Sequence, residues 1–182
     1  MIDKLYIIKA VYMVVHDFAQ DLEKDFIDMG YSVHKALEPQ NLIEMDKAFD
    51  EIIEDVKANG TNPMLHIDGH GCCQYFQLYQ AITINWAYLA RKFEQLNQAA
   101  NGNLVITMSV CYGLSVWNVC KQMNIKPFKV LICANGDMLG RNAYWRMLAF
   151  YKEWIKIHDP NLSYTAFDNE QTGVGNNFRM IV

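Results

Sequence analysis

The chain has 182 residues, of which 52% are hydrophobic and 13% aromatic, and this suits one globular domain with a sizeable core. Its formal net charge of −4 argues against a chain that binds nucleic acid through positive charge. The apolar stretch LYIIKAVYMVV is broken by Lys9 and is too short to span a membrane, while five cysteines in largely apolar segments indicate reduced thiols in a cytoplasm.

The first third of the chain alternates strand-like and helical segments. Apolar, β-branched runs predict strands at residues 5–11, 31–37 and 63–68. Apolar residues at three- and four-residue spacing predict a helix from about Asp17 to Met29 and another from Leu42 to Val56. Gly30 and Gly60 follow these helices and are typical helix stops.

The alternation continues to the end of the chain. Residues 74–84 predict either a small hairpin or a strand followed by a loop. The further strands are predicted at residues 103–110, 128–134 and 176–182, the last as an edge strand. The further helices are predicted from Trp86 to Leu96, from about Leu114 to Met123 and from about Asn142 to Ile157.

Strict alternation of strands and helices predicts a single α/β domain over residues 1–182. Its sheet is expected to be doubly wound and mostly parallel, with helices on both faces. Ligands bind such sheets at the carboxyl ends of the strands. The third strand ends in the stretch PMLHIDGHGCC at residues 63–73, and the fourth ends in SVCYG at residues 109–113.

The first of these stretches carries side chains that bind zinc in other proteins. His66, His70, Cys72 and Cys73 are all suitable ligands. In an extended segment, however, the two histidines lie about 13 Å apart, too far to share one ion. Adjacent cysteines are also a poor chelating pair, and the chain has no Cys-x-x-Cys motif for redox chemistry. The sequence therefore predicts neither a metal nor another cofactor.

The two histidines have different settings. His66 lies within the strand, which favours a buried, hydrogen-bonded side chain. His70 is expected in a loop just past the strand, between two glycines that allow a sharp turn and a close backbone approach. This is the setting of a displayed side chain. Asp68 either orients the imidazole of His70 or faces solvent, and the sequence leaves both alternatives open.

Cys111 ends the fourth strand. Taken alone, such a cysteine is typical of a core thiol. Because one helix joins the third and fourth strands, these are expected to be neighbours about 4.8 Å apart, with His70 and Cys111 on the same rim. A nucleophilic thiolate needs an imidazole to take its proton and return it to the leaving amine. The backbone N–H groups of Gly71 and Cys111 are then candidates for stabilising the oxyanion.

This pairing resembles the caspase-like (clan CD) cysteine peptidases, and within them the CHAT family. LHIDGHG resembles the apolar run that ends in Gly-His-Gly, and LVITMSVCYG resembles the run that ends in the nucleophilic cysteine. ITINWAYLARKFEQL resembles the intervening helix, and FKVLICANGD with MLAFYKEW resembles the later strand, acidic loop and helix. The match covers residues 63–155, in which His70 and Cys111 are 41 positions apart.

The resemblance implies a caspase-like fold and a cysteine endopeptidase that acts on polypeptides without a metal. It implies that His70 is the general base and acid, Cys111 the nucleophile, and Gly71 with Cys111 the oxyanion hole. Asp137 would line the pocket for the substrate's first side chain and favour Arg or Lys. The alternative is that Asp137 is a helix N-cap or a solvated loop residue.

Two other classes of function stay open. One is a catalytically inactive binding or scaffold module on the same fold. If the chain is instead an active peptidase, its activity is expected to depend on a regulatory protein subunit. The other is a flavodoxin-like protein that binds a small molecule, which is disfavoured because no glycine-rich phosphate loop follows the first strand. Cys120 and Cys133 lie in apolar runs that predict core thiols, so Cys111 is expected to be the only strongly nucleophilic cysteine.

Overall fold

The computed structural model describes residues 4–10, 18–34, 36–79, 82–138, 140–169 and 178–182. In this part of the chain, seven strands form one mixed sheet, accompanied by six helices. The strands are β1 (Lys4–Lys9), β2 (Pro63–Gly71), β3 (Tyr75–Gln77), β4 (Thr83–Asn85), β5 (Val105–Val110), β6 (Val130–Ala134) and β7 (Phe178–Ile181). The helices are α1 (Phe18–Asp28), α2 (Leu42–Asn59), α3 (Trp86–Ala99), α4 (Ser115–Met123), α5 (Gly140–Ile157) and α6 (Pro160–Asn169). Some predicted strands and helices include positions that lie outside the described residues, namely 11, 17, 35, 80–81 and 176–177.

The centre of the sheet is parallel. β2 lies between β1 and β5, and β6 follows β5, with all three pairings parallel. β7 pairs antiparallel with β6 at one edge. β3 and β4 form an antiparallel hairpin that joins β2 just beyond the end of β1. The α/β class predicted from the sequence is confirmed, and the sheet is mixed.

Local signals fix the ends of α2. The side chain of Asn41 accepts a hydrogen bond from the backbone N–H of Glu44, and the Glu44 carboxylate accepts one from Asn41 Nδ2 in return. The first of these bonds satisfies one of the backbone N–H groups that have no partner within the helix at its start. At the other end Gly60 adopts φ +62° and donates its N–H to the carbonyl of Val56, and glycine adopts this left-handed conformation at little cost.

Helices pack on both faces of the sheet and divide the buried apolar residues into two groups. The first core lies between the sheet and helices α2, α3 and α4, and includes Phe49, Ile67, Phe93, Met108 and Val116. The second core lies on the opposite face with α1 and α5, and includes Ile7, Phe26, Met64, Val105 and Phe150. Every residue of β5 and β6 is buried, because these strands are covered from both sides.

Three predictions differ from the structure. The described residues of the segment 31–37 make two isolated parallel bridges to β1, Val33 to Leu5 and Leu37 to Ile8, instead of a continuous strand. β2 is longer than predicted and continues to Gly71. Helix α6 was not predicted, although Asp159 caps it by accepting hydrogen bonds from two backbone N–H groups. No helix among the described residues has the length and apolar character to cross a membrane.

Candidate active site

His70 lies inside β2, next to its last residue. The prediction of a loop at this position is wrong, because β3 pairs antiparallel with β2 at His70 and Gly71 and so continues the ladder past Asp68, where the pairing with β1 ends. The side chain of His70 is exposed. The histidine is therefore held by a regular strand and displayed at the carboxyl end of the sheet.

Strand alternation gives the face on which His70 lies. Ile67 belongs to the first core and Met64 to the second. A Cβ on Gly69 would meet the Phe76 ring of the first core at 2.7 Å. Odd-numbered residues of β2 thus face the first core, and even-numbered residues, including His70, lie on the face of the second core.

Cys111 follows β5 and lies on the same face as His70. Met108 and Val110 pack in the first core, whereas Val105 packs in the second. Cys111, the next residue after Val110, therefore comes on the face of the sheet that packs in the second core. In agreement, the sulfur of Cys111 contacts the backbone of Met138, whose side chain packs against the second core.

The register of β2 and β5 brings the two residues to adjacent positions. Gly69 is opposite Val110 in the parallel ladder, so His70 and Cys111 come one step further along neighbouring strands. The ladder spacing is about 4.8 Å. The strand ends stay close beyond this point, because a Cβ on Gly71 would lie 2.7 Å from the carbonyl oxygen of Cys111. The expectation that these two strands are neighbours is confirmed.

The polar partner of the Cys111 sulfur is the loop between β6 and α5. The backbone N–H of Met138 donates to Sγ at 3.4 Å, and Sγ lies 3.7 Å from the Met138 carbonyl oxygen, where its thiol proton can be donated. Among the described residues, no hydrogen bond joins the His70 ring to Cys111. The thiol in this structure therefore rests against Met138 on the face that His70 also occupies.

Tyr112 makes a sharp turn directly after Cys111. Its φ of +57° lies in the left-handed region, which costs a non-glycine residue about 1–3 kcal/mol and persists only where the surroundings impose it. The Tyr112 N–H donates to the carbonyl of Gly136, and the N–H of Leu114 donates to Ala134, both at 2.9 Å. These bonds fasten the end of β5 to the loop that follows β6.

Asp137 lies in that same loop. Its side chain is exposed, and the next residue, Met138, contacts the Cys111 sulfur. Because α5 begins at Gly140, Asp137 precedes the N-cap position of this helix by two residues. The pocket and helix-cap roles of Asp137 both stay predictions.

His66 has the structural role predicted for it. It is fully buried, and its Nδ1 lies 2.9 Å from the Thr107 hydroxyl and 3.0 Å from the Tyr151 hydroxyl, which are also bonded to each other. Burial lowers the pKa of His66 to about 3, so the ring is neutral near pH 7. Its Nε2 has no partner among the described residues.

The remaining thiols fall into two groups. Burial raises the pKa of Cys120 and of Cys133 to about 12, which makes both poor nucleophiles. Desolvation raises the pKa of Cys72, but hydrogen bonds from the backbone of Gln74 and Tyr75 lower it by more, so the net pKa lies below the usual value. Cys72 is thus a second candidate nucleophile, and the expectation that Cys111 is the only strongly nucleophilic cysteine stays a prediction.

No protein-family model matches the chain, and no curated protein matches it either. The functional assignment therefore depends on the geometry of this chain's own residues. Among the described residues, no three His, Cys, Asp or Glu side chains are grouped as metal ligands would be. The expectation that no metal is bound stays a prediction.

Polar residues beneath the site were not recognised as a group from the sequence. Thr107 and Ser109 in β5 and Cys111 directly after it alternate with apolar residues, and His66, Asp68 and His70 alternate in the same way in β2. This period of two was the available signal, since it places all six on one face of the sheet. The contact between Met138 and Cys111 left no comparable signal.

Proposed function

We propose that this chain is a cysteine endopeptidase with a Cys111–His70 dyad, acting on polypeptides in the cytoplasm. The observation that carries the proposal is the register of β2 and β5, with His70 and Cys111 one step beyond Gly69 and Val110 on the same face. This register supports the proposal because a cysteine and a histidine, which together perform nucleophilic catalysis, come at the carboxyl ends of two neighbouring parallel strands.

The proposed reaction begins when the imidazole of His70 takes the proton of the Cys111 thiol. The sulfur attacks the scissile carbonyl carbon, and the negative charge that develops on its oxygen is stabilised by the N–H groups of Gly71 and Cys111. His70 then gives its proton to the leaving amine as the C–N bond breaks. Water, deprotonated by His70, hydrolyses the thioester and restores the thiol.

The connectivity of the sheet supports a caspase-like fold in particular. In those peptidases one apolar strand ends in His-Gly, and the next strand in the sheet ends in the nucleophilic cysteine. Here β2 ends in His70-Gly71, its neighbour β5 is followed at once by Cys111, and helix α3 lies between them along the chain.

We further propose that Asp137 selects a basic residue on the amino side of the cleaved bond. Its loop contacts the nucleophile through Met138, so a side chain next to the scissile carbonyl comes within reach of the carboxylate. A carboxylate binds an Arg guanidinium through two parallel hydrogen bonds and binds Lys with a poorer geometric match.

The rival function is a catalytically inactive binding module on the same fold. The contact of the Cys111 thiol with Met138, in place of a hydrogen bond to His70, favours it. In an active enzyme this contact is expected to break when substrate or a regulatory protein subunit moves the loop after β6.

Replacement of the dyad tests the proposal. Cys111→Ala and His70→Ala are each expected to abolish cleavage of a peptide library while leaving the thermal unfolding temperature nearly unchanged, because both residues lie at the rim. The controls are Cys73→Ala and His158→Ala, which remove an exposed thiol and an exposed imidazole elsewhere. The measurement is mass-spectrometric detection of cleaved peptides.

Two results would contradict the dyad. One is that the unmodified protein cleaves no peptide and that iodoacetamide alkylates its Cys111 at the same rate as in His70→Ala. The other is cleavage that survives in Cys111→Ala but is lost in Cys72→Ala, which would make Cys72 the nucleophile.

The same library tests the specificity. Cleavage by the parent is expected after Arg and, less efficiently, after Lys, and this preference is expected to weaken by about tenfold or more in Asp137→Ala because the charge-assisted bonds are lost. Asp137→Asn, which keeps the shape of the side chain but not its charge, is the matched variant. Preference for acidic residues, or an unchanged profile in both variants, would refute the pocket.

A further inference from the structure

A row of polar side chains crosses the sheet directly beneath the candidate dyad. Lys9 of β1 is opposite Asp68 of β2, and Asp68 is opposite Ser109 of β5. The neighbours of these three residues along their strands, such as Ile8 and Ile67, pack in the first core. By alternation the row itself lies on the other face, which is the face of His70 and Cys111.

Asp68 occupies the centre of this row. It is two residues before His70 in a regular strand, so the two side chains project from the same face at Cα positions about 6.6–7 Å apart. A carboxylate and an imidazole together are long enough to meet across that distance. Asp68 is also only partly buried, between the exposed end of the strand and the core.

Ser109 gives an independent indication that the side chains of this row interact with one another. It is 4% exposed, and its hydroxyl has no hydrogen-bond partner among the described residues. Buried polar atoms are nearly always partnered, and an exception calls for an explanation. The residue directly across the ladder from Ser109 is Asp68, whose carboxylate is a suitable acceptor, directly or through one water.

We propose that Asp68 is the positioning residue of His70, so that the site functions as a Cys111–His70–Asp68 triad; this inference rests on the proposed function. The Asp68 carboxylate accepts a hydrogen bond from one ring N–H of His70, which leaves the other nitrogen to take the proton from Cys111. The imidazolium formed in that step is stabilised by the adjacent negative charge. In the proposed triad the Ser109 hydroxyl, which has no partner among the described residues, donates to the carboxylate from the side, and Lys9, which is paired with Glu38 at 3.1 Å, adds a cation on the other side.

The test is a double-mutant cycle on the rate at which iodoacetamide alkylates Cys111, followed by peptide mapping. Asp68→Asn is expected to slow alkylation about tenfold in the parent and to have no further effect in His70→Ala, because the carboxylate acts only through the ring. With a cleaved peptide, Asp68→Asn lowers kcat and leaves KM unchanged. Asp28→Asn, at the exposed end of α1, makes the same change of net charge and serves as the control.

The outcomes separate this inference from the proposed function. If His70→Ala slows alkylation but Asp68→Asn does not, the dyad stands and the positioning role is refuted. An equal effect of Asp68→Asn with and without His70 also refutes it, because this indicates a structural role. If His70→Ala itself has no effect, the dyad and the triad are both wrong.

Discussion

Gly71 has no Cβ, and the space that a Cβ requires is already occupied. The carbonyl oxygen of Cys111 lies 2.7 Å from that position, and a methyl carbon of Val110 lies at 2.8 Å. Both contacts are shorter than van der Waals distance, and the first is with backbone that cannot rotate away. The close approach of the two strand ends therefore depends on this glycine.

Gly71→Ala is accordingly expected to separate the end of β2 from Cys111. The free energy of unfolding should fall by about 1–3 kcal/mol, as in other overpacked sites, and the alkylation rate of Cys111 should become independent of His70. Urea denaturation and alkylation of the folded variant measure the two effects. Gly60→Ala is the control, because a Cβ there meets nothing within 4 Å, so only the backbone strain of its φ of +62° is added. An alanine at position 71 that preserves stability and His70-dependent reactivity would contradict the close approach.

At the scale of elements, helix α5 is tied to the sheet by one buried hydroxyl. Tyr151 contacts Nδ1 of His66 on β2 and the hydroxyl of Thr107 on β5, and it is fully buried. Its ring also packs edge-on against Phe26 of α1 with centroids 4.4 Å apart. Two strands and two helices therefore meet at one side chain, beneath the polar row of the candidate site.

Tyr151→Phe keeps the ring and removes this hydroxyl. The expected loss in the free energy of unfolding is about 1–2 kcal/mol. His66 Nδ1 and the Thr107 hydroxyl each lose Tyr151 as a partner, but the bond between the two survives. Tyr164→Phe is the control, since the Tyr164 hydroxyl makes a longer, partly exposed bond of 3.3 Å to Phe178. Equal losses in the two variants, measured by urea denaturation, would argue against a special role for the buried cluster.

The elements that the sequence predicted well are those specified by local signals. α2 was predicted from apolar residues at helical spacing and from Gly60 at its end, and the structure has both features; Asn41 caps its start in addition. The extension of β2 to His70 and Gly71 depends on pairing with β3, which is a tertiary contact. The segment at 31–37 has strand-like residues, but its described residues pair with β1 at two isolated positions.

The candidate site was predictable in part for the same reason. The positions of His70 and Cys111 at the ends of successive strands follow from the β-α alternation, so their approach was expected. The contact between Met138 and the Cys111 sulfur joins residues 27 positions apart through a loop whose path no local pattern specifies. The lowered pKa of Cys72 likewise depends on a turn that becomes visible only once β3 is placed.

At the scale of the whole molecule, the site lies where segments distant in sequence meet. β2 supplies His70, β5 leads to Cys111, and the loop after β6 supplies Asp137. The two cores hold these strands from opposite faces, so a change in global stability is also a change in the population of molecules with an assembled site. The dependence of stability on pH is therefore relevant to function.

Three buried or partly buried groups set that dependence. Burial holds the pKa of His66 at about 3, far below its value in an unfolded chain. The hydrogen bond and charge of Lys92 lower the pKa of Asp46. Desolvation raises the pKa of Asp55, but its bonds to Lys4 and Tyr6 lower it by more.

The signs of these shifts give two separate pH windows. Between about pH 6.5 and pH 3 the unfolded chain binds a proton at His66 and the folded protein does not, so acidification favours unfolding. From pH 6 to pH 4 this one group is expected to lower the free energy of unfolding by roughly 2–3 kcal/mol. The two aspartates, whose pKa values are depressed by folding, stabilise the protein above about pH 4 and lose that contribution only below it.

Urea denaturation at half-unit steps from pH 7 to pH 3.5 measures the first window, and His66→Gln is expected to flatten the curve above pH 4.5. Because His66→Gln also disturbs the bonds to Thr107 and Tyr151, NMR titration of the His66 ring in the parent provides the direct check. A ring that stays neutral down to the pH of acid unfolding agrees with the burial seen here. A ring that titrates near pH 6.5 in the folded protein would show that water reaches it, and the acid sensitivity would then have to come from elsewhere.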